Sequence, residues 1–221
     1  DGIRLLAPVI PSKVYGLAKN YEAHARFMHE AGHSDIKHAP EDMVIFTKPS
    51  TSVIGPDDPI VIPLCSNDMN FEPELAVVMG RIAKNVPVEQ AMDYVLGFTC
   101  VNDVTLRDLQ GLDPTWTRAK GFDTACPLGP WIVTRDDVDW KDAKISFTLN
   151  GEDVPMASGT TANLIHGIPE QIAAITSFTT LLPGDVIMTG TPNASGHLDP
   201  GDEAIVHVEG IGDLRNGLVR G

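Results

Sequence analysis

The run Phe71-Glu-Pro-Glu-Leu-Ala-Val-Val-Met-Gly80 constrains this chain more than any other, because it sets two carboxylates into an apolar segment. Residues 75–79 read as a buried strand. Side chains at i and i+2 of a strand point to the same face, so Glu72 and Glu74 lean into one place. Ionised carboxylates at the start of a buried strand are costly unless an opposite charge answers them. A second apolar run, residues 95–101, ends at Asn102-Asp103 and delivers a third carboxylate. Three oxygen ligands with no nearby Cys or His pair suit a hard divalent cation, Mg²⁺ or Mn²⁺ before Zn²⁺. The plain alternative is a solvated rim of acids on a chain already rich in them.

Further strand-like runs cover residues 44–47, 60–63, 131–134, 145–150, 186–189, 204–208 and 214–219. Asn150-Gly151, between residues 145–149 and 153–156, is a two-residue hairpin signal. Helical stretches are few: 88–94 after Pro87, 168–179 with Pro169 and Glu170 in its first turn, and 21–28. The 17 prolines and 20 glycines make turns abundant, and no repeat or linker divides the chain. The expectation is one strand-dominated α+β domain over residues 1–221, with a lid segment at about 20–42.

A net charge of -14 argues against nucleic acid and anionic membrane as partners, both of which would repel the chain. It does not exclude a small anionic substrate, whose local field comes from a metal and a few cations. Cys65, Cys100 and Cys126 are odd in number and scattered, and read as reduced core residues of a cytoplasmic protein. No run approaches the ~18 apolar residues of a membrane span. The chain starts at Asp1 without a Met, so a leader or N-terminal segment can precede it.

The remaining polar residues gather around the same chemistry. Arg107 and Gln110 follow Asp103, Lys120 sits in Trp116-Thr-Arg-Ala-Lys-Gly-Phe-Asp123, Lys48 in Phe46-Thr-Lys-Pro49, and Thr189-Gly-Thr-Pro192 closes an apolar strand. With Gly16-Leu-Ala-Lys-Asn-Tyr21, Cys126-Pro127 and Leu182-Pro-Gly-Asp185, these motifs run in order over almost the whole chain. In this the sequence resembles the fumarylacetoacetate hydrolase family.

The resemblance implies a mixed β-sandwich roll, a homodimer, and Mg²⁺ or Mn²⁺ held by Glu72, Glu74 and Asp103. It places Lys120 and Thr191 at the substrate and Arg107 with Gln110 on its carboxylate side; Lys48 is a further substrate candidate. Family members act on 1,3-dicarbonyl or 2-oxo acids by hydrolysis, decarboxylation or isomerisation. Three acids with a divalent cation leave about one net negative charge, so nearby cations are needed to receive a dianionic substrate.

Hydrolytic members carry a His and, three residues later, a Glu that together activate water. Here His24 is in place, but the Glu position is Phe27, and Glu30 is the nearest substitute. Decarboxylation needs an electron sink and a proton rather than an attacking water. The expected reaction is therefore decarboxylation of oxaloacetate, with hydrolysis of acylpyruvates through His24 and Glu30, or isomerisation of a 2-hydroxydienoate, as alternatives. His24, His29, His33 and His38 do not keep one helical face, and the intervening Gly32, Ser34 and Asp35 suggest a flexible lid instead of a zinc cluster. Trp116 and Trp131 read as packing residues, Asp123 as a partner orienting Lys120, and Asp108 as a partner of Arg107 or Arg118.

Overall fold

The computed structural model describes residues 4–35 and 37–221. It is strand-dominated, as the alternating apolar runs require. Seven strands form one sheet in the order Val44–Lys48, Val14–Ala18, Val186–Met188, Pro73–Met79, Val95–Asn102, Cys126–Thr134, Val53–Ile54. A second sheet runs Glu152–Asp153, Lys144–Leu149, Glu203–Val208, Gly212–Arg220, Ile60–Ile62, with Gly159–Thr160 added to Lys144–Leu149. A small third sheet orders Gly196–Leu198, Met69–Phe71 and Thr105–Leu106.

The strand Pro73–Met79 is buried along its whole length. Its Leu75, Val77 and Met79 join Phe98 and Cys100 against Ile145, Phe147, Val206, Val208 and Leu214 of the second sheet, making the sandwich core. Ala76 and Val78 point the other way, into a smaller cluster with Val14, Phe46, Val101, Leu128 and Met188. The two-residue period thus sends Glu72 and Glu74 to the second face, away from the second sheet. Phe71 and Phe147 stack at 3.9 Å between centroids where the third sheet meets the sandwich.

The hairpin at Asn150-Gly151 forms with φ of 54° and 82°, the left-handed pair that a two-residue turn needs. The short helix expected over residues 88–94 forms, as a 3-10 helix. Val14–Ala18 escaped the hydrophobic pattern because Gly16 interrupts it; a Cβ there would lie 2.2 Å from the Phe46 ring. Cys100 and Cys126 are buried as expected, whereas Cys65 is exposed. Among the described residues no helix is long and apolar enough to cross a membrane.

Candidate active site

The acid strand ends where three polypeptide segments converge. Glu72 precedes Pro73–Met79, and its backbone N–H donates to Asn102 Oδ1 at 2.9 Å. Asp103 follows Val95–Asn102, the antiparallel neighbour, and its N–H donates to the Glu72 carbonyl at 2.9 Å. Glu74 takes a 2.7 Å hydrogen bond from the Gly190 N–H. Gly190 sits at φ 105°, and a Cβ there would come within 3.0 Å of Asn20 Cβ, so the loop can pass this close only as glycine. One oxygen from each of Glu72, Glu74 and Asp103 lies within 4.8 Å of the others, and all three residues are buried.

Three cations answer these acids. Lys120, from the short helix Thr117–Lys120, places Nζ 2.7 Å from Glu72 Oε2 and 2.5 Å from Asp103 Oδ2. Arg107, opening the helix Arg107–Gln110, donates from Nη2 to Glu72 Oε1 at 2.7 Å and to Ser195 Oγ at 2.8 Å, and from Nη1 to Gln110 Oε1 at 2.7 Å. Lys48 lies 2.8 Å from Asp103 Oδ1, and its ammonium also donates to the carbonyls of Val104 and Ala125. When all are ionised, three positive charges cancel three negative ones; a divalent cation would then leave an excess of two. These are the nearby cations that three acids with a divalent ion require before an anion can approach.

The acids titrate apart. Burial alone would raise the Glu72 carboxyl, but Lys120, Arg107 and His24 together hold it well below the usual range. Glu74 goes the other way: burial, then Asp103 and Glu72 as like charges, push it well above. Lys120 keeps its charge, because Asp103 and Glu72 outweigh the burial that opposes it. A buried carboxyl crowded by two like charges, in an all-oxygen set, is the arrangement a hard divalent ion relieves. The residues therefore fit Mg²⁺ or Mn²⁺.

A cavity of about 330 Å³ opens over this cluster, walled by Glu72, Glu74, Asp103, Arg107, Lys120 and Thr191 and roofed by the segment after the helix Glu22–Glu30. Gln110 lies at its edge, and Thr191 Oγ1 is buried without a hydrogen-bond partner. His24 is buried in the wall, with Nδ1 2.7 Å from the Asn193 carbonyl. A carbonyl only accepts, so Nδ1 carries the proton and Nε2 of the neutral ring is left with its lone pair. Burial, partly countered by Glu72, lowers the pKa of the ring and favours this neutral form.

Lys48, expected at the substrate, and Glu30, expected as a catalytic partner of His24, stand elsewhere. Lys48 is sealed beneath Asp103 and does not line the cavity. Its four-carbon stem follows the strand Val44–Lys48 inward, so its charge acts on Asp103 from behind. Glu30 ends its helix exposed and outside the cavity. At two residues beyond Met28, the helical period turns it away from the site-facing side of His24 and Met28. Phe27 instead stacks on His24, with ring centroids 6.4 Å apart.

Other expectations are redrawn by the geometry. Trp116 lines the cavity and meets Phe46 edge-on, while Trp131 is half exposed. Asp123 is exposed. Asp108 accepts from Ser66 Oγ and the Asn67 N–H rather than pairing with an arginine. His29 and His38 bond Ser34 and Glu22, so the histidines of the lid do not converge. Lys19 and His33, which the sequence reading did not single out as site residues, both line the cavity.

Residues 13–219 match the family model described as fumarylacetoacetate (FAA) hydrolase C-terminal. The chain is 46% identical over 219 residues to the Mycobacterium tuberculosis protein Rv2993c, covering 99% of this chain and 79% of that one. It is 38% identical over 228 residues to human mitochondrial oxaloacetate tautomerase FAHD2A, covering 98% and 70%. Among solved structures, a 5-carboxymethyl-2-hydroxymuconate delta-isomerase from Mycobacterium smegmatis superposes with TM-score 0.88 at 46% identity, over 99% of this chain and 82% of that one. A maleylpyruvate hydrolase from Sphingobium sp. SYK-6, in complex with manganese(II) and pyruvate, superposes with TM-score 0.81 at 30% identity, over 98% and 74%.

Proposed function

Because the chain belongs to the fumarylacetoacetate hydrolase family, we propose that it is a Mg²⁺- or Mn²⁺-dependent enzyme that interconverts the keto and enol forms of oxaloacetate and similar 2-oxo diacids. The observation that carries this reading is His24. It is a buried, neutral imidazole in the cavity wall, with Nδ1 committed to a carbonyl and Nε2 left to accept a proton. Among the described residues no carboxylate is hydrogen-bonded to its ring, so the pair that would activate a water is missing.

In the enol-to-keto direction a proton is added at C3 of the substrate and one is lost from the C2 hydroxyl. Glu72, Glu74 and Asp103 would hold the divalent ion, which would supply Lewis-acid electron withdrawal when bound. Lys120 keeps a fixed positive charge beside the same acids, where negative charge develops on the enolate. Arg107, locked by Glu72, Gln110 and Ser195, still has an unpartnered Nε–H to offer a carboxylate. In the enol-to-keto direction the lone pair of His24 Nε2 takes the C2 hydroxyl proton and delivers a proton to C3, leaving the ring neutral again, and the reverse reaction runs the same two transfers backwards; Thr191 Oγ1, without a partner of its own, orients the substrate. Human FAHD2A, by its name an oxaloacetate tautomerase, supports the choice of substrate and reaction.

Decarboxylation of oxaloacetate to pyruvate and CO₂ is the second reading, since the same cations would stabilise the enolate left when CO₂ departs. The two are separated by following enol absorbance and pyruvate release together, with Mg²⁺ and with a chelator. Metal-dependent loss of enol without matching pyruvate supports tautomerisation. Pyruvate formed in step with substrate loss makes the enzyme a decarboxylase, and loss of acetylpyruvate makes it a hydrolase.

A further inference from the structure

We infer that Lys19 determines substrate specificity: its ammonium receives the second carboxylate of the substrate, so that the cavity selects diacids over monoacids. The inference rests on the reading of this cavity as a 2-oxo acid site.

Lys19 follows the strand Val14–Ala18 and lines the cavity together with Gly32, His33, Ser34 and Asp35 of the segment above it. Its backbone sits at φ 56°, a left-handed conformation that few residues with a Cβ adopt. The next residue imposes this. Asn20 Nδ2 donates to the carbonyls of His166 and Thr189 at 3.0 and 2.9 Å, and its Oδ1 accepts from the His166 N–H at 2.9 Å. Anchored so, Asn20 holds the turn and aims the lysine stem over the site.

The other cations of the site are each answered by a carboxylate: Lys48 by Asp103, Lys120 by Glu72 and Asp103, Arg107 by Glu72. Lys19 differs. Its Nζ donates to Ser34 Oγ at 2.6 Å, a neutral acceptor, and among the described residues no carboxylate oxygen lies within ion-pairing distance of it. Burial lowers its pKa, with Asp35 only partly offsetting the effect. A half-buried ammonium at a polar cavity, with a hydroxyl as its hydrogen-bond partner, is the environment a ligand carboxylate completes. Arg107 serves one end of the substrate from its own helix; Lys19 enters from a different strand, next to the loop that carries Gly190 and Thr191. Two cationic contacts from separate elements match two carboxylates on one short molecule. A lysine gripping the distal carboxylate also stabilises the group that decarboxylation would have to release, which favours proton transfer over loss of CO₂.

The test is calorimetric binding of malate and lactate, a diacid and a monoacid sharing one 2-hydroxy acid head, to the Mn²⁺-loaded protein. The wild type should bind malate at least about tenfold more tightly, the worth of one charge-assisted contact of roughly 1.4 kcal/mol. Lys19→Met should weaken malate to near the lactate value and leave lactate unchanged, Lys19→Arg should keep most of the preference, and Ser34→Ala should keep it too. The inference is overturned if the wild type does not prefer malate, if Lys19→Met weakens both ligands equally, or if Ser34→Ala reproduces the loss, which would make Lys19 a latch for the segment above. Binding needs no turnover: a Lys19-dependent malate preference in a protein inert toward oxaloacetate would support this inference and refute the reaction proposed above.

Discussion

Lys48 offers the sharpest view of how this site is held together. The residue is 1% exposed, and its ammonium lies 2.8 Å from Asp103 Oδ1 and donates to the Ala125 carbonyl at 2.7 Å and the Val104 carbonyl at 3.2 Å. Lys48→Met keeps the stem and removes the charge. Deleting one partner of a buried ion pair costs about 3–5 kcal/mol, and two carbonyls lose donors worth about 1 kcal/mol each. Asp103 still has Lys120 at 2.5 Å, which offsets part of the loss, so a net penalty of about 4 kcal/mol is expected. For a chain of this size each kcal/mol lowers Tm by ~2–4 °C, giving a drop of roughly 8–16 °C by scanning calorimetry in chelator. Saturating Mn²⁺ should recover several degrees in the variant beyond its effect on wild type, because the ion replaces the missing charge at Asp103. A Tm change under about 3 °C in chelator, on the same scale, would mean that the acid cluster needs no cation from behind.

Lys120→Met removes the ammonium that bridges Glu72 and Asp103. Turnover should fall by ~10²-fold or more while divalent-ion affinity holds or rises, because the acids lose a competing cation; an unchanged rate would remove Lys120 from the chemistry. Asp185 closes a turn far from the cavity, accepting from Ser12, Lys13 Nζ and the Leu182 N–H. Burial works against its charge, but Lys13, Ser12 and Leu182 hold its pKa below the ordinary value. The stability it contributes is thus fully present above the unfolded-state pKa and is lost as pH falls through the lower folded-state value. Asp185→Asn should cost about 1–3 kcal/mol at neutral pH in urea titrations, with the gap to wild type closing in acid; a gap that widens in acid would contradict the assignment.

Much of this site is legible in the sequence because its costs are local. A Glu-x-Glu at the mouth of a fully apolar strand, and an Asn-Asp at the end of its neighbour, announce carboxylates that must share one pole of a sheet. The antiparallel register pairing Pro73 with Asn102 is what brings Asp103 beside Glu72. The roles of Lys120 and Arg107 came from ordered motifs and not from periodicity, since helices of four residues leave no hydrophobic pattern to read. Lys48 was misplaced for a geometric reason: strand alternation tells which face a lysine leaves from, but not whether its tip stops beneath an acid or passes beyond it. Lys19 lies within the motif Gly16-Leu-Ala-Lys-Asn-Tyr21, but its place at the cavity could not be read there, because it depends on a left-handed turn next to Asn20, whose side chain bonds residues 146 and 169 positions away. Glu30 failed as a partner for His24 because sequence distance along a helix does not say where the helix ends relative to the cavity.

Whether Glu72, Glu74 and Asp103 form a divalent-cation site is decided by titrating the metal-free protein with Mn²⁺, followed by electron paramagnetic resonance. The wild type should hold one tight ion per chain, and Glu74→Gln none although that variant remains folded by circular dichroism. Retention of one tight ion by folded Glu74→Gln, or absence of any tight ion in the wild type, would contradict this ligand set.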